Sequence, residues 1–162
     1  MSRSGYNDDC ENWSLICWRG AVNSAIKGGR GQAFLNELIA SLDSLPEKKL
    51  IADDLEANGA VCAIGAVGKS RGIDMTKIDP HEPDQVARAF GIAPAMAQEI
   101  AYMNDEWGPY KQTPEDRFTR MRTWAKNQIW DARGCVPDPY GTHARSMSKL
   151  LHWKTVIDWN EV

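Results

Sequence analysis

The stretch between Asn58-Gly59 and Glu106 restricts the fold of this chain more than any other. Its first part, Ala60-Val61-Cys62-Ala63-Ile64-Gly65-Ala66-Val67-Gly68, consists almost wholly of small residues, with Gly65 and Gly68 three apart. A helix with so little side chain lets a neighbouring backbone come close, so this segment is expected to be a close-fitting seat for neighbouring helices. Val61 to Ile64 also suit a short buried strand, because a brief apolar run does not reveal its own period. The second part carries two short helical patterns separated by Gly91.

The flanking sequence reads as helix on both sides, so the expected fold is mainly α: one compact multi-helix domain over 1–162, with 1–6 and 160–162 as loose ends. A first helix is capped by Asn7 or Asp8 and runs to about Lys27, burying Leu15, Trp18, Val22 and Ile26. Gly28-Gly29-Arg30-Gly31 is expected to stop it. A second helix, about Gly31 to Ser44, turns Phe34, Leu35, Leu38, Ile39 and Leu42 inward. Pro46 suits the start of a third helix through Leu50, Ile51 and Leu55, closed by Asn58-Gly59. Residues 73–83 read as an irregular loop. Asp84 opens a short helix, and Pro94 starts another through Met96, Ile100 and Met103. Together they form a helix-turn-helix-like pair at about 84–106. Thr113-Pro114-Glu115-Asp116 is a strong start for a helix that ends before Gly134. That helix carries Phe118, Met121, Ala125 and Ile129 inward and Arg117, Arg120, Arg122 and Lys126 mostly outward. Residues 142–159 suit a helix, although Trp153, Thr155, Ile157 and Trp159 alternate as in a strand; helix is the preferred reading.

Composition narrows the function classes. The apolar runs are too short to span a bilayer, and Met1 to Gly5 lacks the apolar segment of a signal peptide, so a cytoplasmic protein is expected. The four cysteines are scattered without a C-x-x-C pair and read as reduced thiols. They share no ligand spacing with His81, His143 and His152, so neither metal nor cofactor is expected. The net charge of -3 conceals an asymmetry: residues 43–106 carry 12 acids against 6 bases, whereas 113–154 carry 8 bases against 4 acids. The two regions can complement each other within the fold, or the second can face an acidic partner.

Few residues combine into recognisable chemistry. The helix-turn-helix spacing is present, but a DNA reader needs donors at the start of its second helix, where this chain has Ala93, Pro94, Ala95, Gln98 and Glu99. Cys62 lies near a possible helix start that would stabilise a thiolate, yet its neighbours suit a small buried hydrophobe. Asn104-Asp105-Glu106 closes the 94–106 helix, where acids oppose the helix dipole. Accepting that cost points to a specific hydrogen-bonding task, such as capping another helix, and Cys62, Asn104 and Asp105 together form a candidate polar site. Seven tryptophans are more than a core of this size needs. Trp124 and Trp130, beside Arg117, Arg120, Arg122 and Lys126, suit a protein interface or the stacking of nucleic-acid bases.

Several runs resemble a group of small phage and prophage proteins: Ser2-Arg3-Ser4-Gly5-Tyr6, Gly31-Gln32-Ala33-Phe34-Leu35, Val61-Cys62-Ala63-Ile64-Gly65, Tyr102-Met103-Asn104-Asp105-Glu106 and Thr113-Pro114-Glu115-Asp116-Arg117. The likeness covers most of residues 1–130 and implies no activity or catalytic residue. It implies a phage setting, and with it an accessory protein that binds host machinery such as a defence system. The expected function is therefore non-enzymatic protein–protein binding through Trp and Arg residues of 113–133, a requirement that a homo-oligomer would also satisfy. Nucleic-acid binding through the basic 113–154 region is the first alternative, and an enzyme using Cys62 with one histidine is the second.

Overall fold

The computed structural model describes residues 3–4, 12–109 and 111–130 of the 162-residue chain. The expected cap at Asn7 or Asp8 and the expected helix over 142–159 lie outside the described residues. The elements are α1 (Asn12–Lys27), α2 (Gly29–Ser44), β1 (Glu56–Ala57), β2 (Ala60–Val61), α3 (Ala63–Arg71), α4 (Pro83–Phe90), α5 (Pro94–Asp105) and α6 (Pro114–Gln128). A single 3-10 turn, Met75–Lys77, sits in the expected irregular loop. The domain is mainly α, and no helix among the described residues is long and apolar enough to cross a membrane.

Helix α2 is the central element because its apolar positions recur every three to four residues. It buries Phe34, Leu35, Leu38 and Leu42, and packs against α3 on one side and α6 on another. Each such leucine stabilises the fold by about 1.5–3 kcal/mol through removal of apolar surface from water. Around it α1 packs on α2 and α5, and α5 packs on α3 and α4. Val67, Phe90, Met96, Ile100 and Met121 fill the space between them. The break between α1 and α2 is narrower than the glycine cluster implied. Gly28 alone is extended, and Gly29-Arg30-Gly31 already belong to α2.

The third helix expected from Pro46 through Leu55 does not form. Leu50 and Leu55 are buried as a helical pattern would have them, but their backbone bonds go elsewhere. Leu50 N–H donates to Pro114 O, Ile51 N–H to Val61 O, and Leu55 O accepts from Cys62 N–H. Asn58 (φ 52°) and Gly59 (φ 82°) make the two-residue turn between β1 and β2, which pair antiparallel. Both turn residues need positive φ, a requirement that Asn-Gly meets at low cost.

That hairpin explains the small-residue segment. A Cβ on Gly65 would overlap the carbonyl oxygen of Leu55, so the glycine is required by close approach of backbone to backbone. The tight neighbour at this point is thus the loop before β1, not a helix. Every residue of Val61 to Gly68 is buried.

Candidate functional site: a buried guanidinium, carboxylate and amide

The first turn of α3 has backbone N–H groups without helical partners, and two side chains meet them. Cys62 occupies the cap position, and its Sγ accepts from Gly65 N–H at 3.4 Å. Asn104, in the last turn of α5, accepts from Ala63 N–H through Oδ1 at 3.1 Å. The asparagine is 0% exposed, so its remaining amide hydrogens also need acceptors. Its Nδ2 donates to Ile51 O at 2.8 Å and to Asp105 Oδ1 at 2.6 Å. One amide thus links the end of α5, the start of α3 and the loop before the hairpin.

Asp105 continues the chain of bonds. Its Oδ2 accepts from Arg3 Nε at 2.7 Å, and the two side chains are 4% and 2% exposed. Arg3 Nη1 also lies 4.0 Å from Cys62 Sγ. Burial pulls the Arg3 guanidinium toward its neutral form, but the opposing pull of Cys62 and Asp105 prevails and leaves its pKa above the ordinary value. The ion pair joins residue 3 to the far end of α5.

The acids at the C-terminus of α5 are offset by cations from other elements. No basic residue lies in the last turn of α5 itself. Arg117 of α6 donates through Nε to Asn104 O at 3.0 Å and through Nη1 to Leu50 O at 2.9 Å. Arg120 reaches Met103 O and Asn104 O, and bonds Gln112 Oε1 at 2.6 Å. Burial, then the neighbouring Arg117, pushes the Arg120 pKa down, with Asp105 opposing. Two guanidinium groups therefore cap the negative end of the α5 dipole. These arginines, expected to face mostly outward, are half-buried and turned inward, because the last carbonyls of α5 lie within their reach.

The other expected binding residues are dispersed over α6. Arg122 forms a two-point pair with Asp43 of α2, at 2.5 and 2.8 Å. Trp124 is only 4% exposed and belongs to the core. Lys126 is exposed. Trp130 is 43% exposed; its backbone N–H donates to Gln32 Oε1 at 2.8 Å, and Lys27 Nζ stands 6.0 Å from its ring centroid. Of the six, Arg122, Lys126 and Trp130 remain on the outer surface.

The buried network brings together Cys62, Asn104 and Asp105, the three residues singled out as a polar site. It adds Arg3, which carries no local signal, since a lone arginine among serines reads as solvated chain. Nucleophilic chemistry at Cys62 needs a base and access. The thiol is 0% exposed and faces a guanidinium, while His81 lies in the exposed turn after the 3-10 segment. Among the described residues, no group of three or more His, Cys, Asp or Glu is placed to hold a metal ion. The arrangement fastens Arg3, the loop before the hairpin, α3, α5 and α6 to one another. No protein-family model matches the chain, and no curated protein or solved structure matches it.

Proposed function

We infer that the protein acts by binding another protein, as a phage or prophage accessory factor in the cytoplasm of a bacterial host. The observation that carries this reading is Trp130, whose indole is 43% exposed at the end of α6. Lys126 lies four residues before it, in the last turn of α6, and Lys27 stands over its ring. Further along the same face, Arg122 hydrogen bonds, against the opposing effect of burial and with the charges of Arg122, Lys126 and Lys48, hold the Asp43 carboxyl below its usual range. An exposed indole in a basic surround suits a partner that offers an apolar pocket rimmed by acids. Host machinery, including a defence system, is the partner class supported by the likeness to phage proteins. The closed network around Cys62 supports a structural part for that residue.

Affinity purification from the natural host, with wild type, Trp130→Ala and Lys126→Glu in parallel, tests the reading. A protein recovered by wild type and lost with both variants supports it. Recovery of nothing, together with a monomer by light scattering, overturns it. The same basic face favours nucleic acid as a second reading, which predicts salt-sensitive binding weakened by Lys126→Ala. A flat band-shift titration at low salt removes that alternative.

A further inference from the structure

The turn between α4 and α5 borders an open hollow of about 410 Å³, lined by Arg30, Asp84, Ala87, Arg88, Gly91, Ile92 and Pro94. Judged by sequence alone, this turn lacks donors for a phosphate, because the start of α5 is Ala93-Pro94-Ala95. The fold supplies them from other elements. Arg30 comes from the first turn of α2, and Arg88 from the last turn of α4. The Arg88 Nε donates to Asp84 O at 3.1 Å, which orients the guanidinium along α4. Neither arginine has an ion pair within the described residues, unlike Arg71 and Arg122, which are matched to Glu37 and Asp43.

The frame of the hollow is braced. Arg71 of α3 bonds Phe90 O at 2.9 Å and both oxygens of Glu37 at 2.5 and 2.6 Å. It thereby ties the end of α4 to α2, so Arg30 and Arg88 are presented from elements fixed relative to each other. Ala87, Ile92 and Pro94 supply apolar surface between them. Asp84 is the carboxylate in the lining and would oppose a bare anion. A ligand with a hydroxyl or amino donor beside its phosphate would instead bond to it.

We propose that this hollow binds a phosphate ester, its phosphate held between Arg30 and Arg88 and an adjoining hydroxyl or amino group on Asp84. Guanidinium groups suit this task because they form paired, charge-assisted bonds to phosphate oxygens. Neither Trp130 nor Lys126 lines the hollow, so variants at those residues test the two surfaces apart. A free nucleotide carries both groups, whereas a DNA backbone offers the phosphate alone and serves as the contrasting probe.

Fluorescence polarisation of the full chain at low salt, with labelled ATP and with a labelled DNA duplex as probes, tests the proposal. Inorganic pyrophosphate serves as competitor. Arg30→Ala and Arg88→Ala are each expected to weaken binding about tenfold, the loss of one charge-assisted contact. Both side chains are exposed, so unchanged melting temperatures confirm that the variants fold. Asp84→Asn tests the carboxylate: it is expected to weaken the nucleotide, and stronger binding on loss of this charge overturns the contact assigned to Asp84. Binding of neither probe at millimolar concentration overturns the proposal. So does binding insensitive to both arginine variants but abolished by Lys126→Glu, which would place the phosphate on the other face.

Discussion

Arg3 and Asp105 are 102 residues apart in sequence and 2.7 Å apart in space, with both side chains almost fully buried. Removing one member of such a pair leaves a charge without water or partner. Arg3→Ala is therefore expected to lower the unfolding free energy by about 3–5 kcal/mol. Replacing both, as Arg3→Met with Asp105→Asn, should recover most of that loss while keeping an acceptor for the Asn104 amide. Urea denaturation of the three variants decides it, and a loss below about 1 kcal/mol for Arg3→Ala would show that the pair behaves as a surface contact.

Asn104 satisfies buried groups on two other segments at once, Ala63 N–H and Ile51 O. Asn104→Ala orphans both, at about 1–3 kcal/mol each. Asn104→Asp keeps the acceptor for Ala63 but sets a second carboxylate beside Asp105. The new carboxyl would hold its proton more tightly in the folded chain than in the unfolded one, so its penalty should shrink as pH falls. Stability curves at two pH values measure this directly, and a penalty that grows on acidification would contradict the network described.

The two described cysteines should differ sharply toward alkylation. Cys17 is exposed and Cys62 is buried behind Arg3. Iodoacetamide near neutral pH, followed by peptide mass spectrometry, is expected to modify Cys17 at least about 100-fold faster, since Cys62 must await an opening of the structure. Arg3→Ala should accelerate Cys62 labelling. Rapid labelling of Cys62 in the native wild type would instead mark an accessible thiolate and revive the enzyme reading.

Glu37 is one source of acid sensitivity on the surface of α2, beside Asp43. The Arg71 hydrogen bonds, with burial opposing and the Arg71 charge assisting, hold Glu37 below its ordinary value of 4.5. A carboxyl whose folded pKa is depressed contributes stability above its unfolded pKa and loses it as pH falls through the folded one. Glu37→Gln should be less stable than wild type near neutrality, by under about 1 kcal/mol after solvent screening of a half-exposed pair. The difference should vanish well below pH 4.5. A gap that persists in strong acid would assign the effect to packing.

The parts of this fold visible in the sequence are those specified by neighbours along the chain. The start of α6 is an example: Thr113 Oγ1 accepts from Asp116 N–H, and Asp116 returns a bond to the Thr113 N–H, all within four residues. The α2 stripe and the proline start of α5 are equally local, while α4 begins at Pro83, one residue before the expected Asp84. Residues 46–59 form no helix, because Leu50, Ile51 and Leu55 have helical spacing while their backbone partners lie at Val61, Cys62 and Pro114. The polar site was legible in part. Acids at the end of α5 signalled a bonding task against the dipole, but the cations that meet them arrive from residue 3 and from α6. Arg117 and Arg120 looked like solvated bases because nothing near them in sequence shows where carbonyls will lie. Arg30 and Arg88 were no easier to pair, being 58 positions apart on different helices.

The order of synthesis gives the Arg3 contact a further meaning. At roughly 5–20 residues per second, Arg3 is made some 5 to 20 s before Asp105. Its guanidinium must stay solvated through the making of α1 to α5, and it settles only when its partner at the end of α5 arrives.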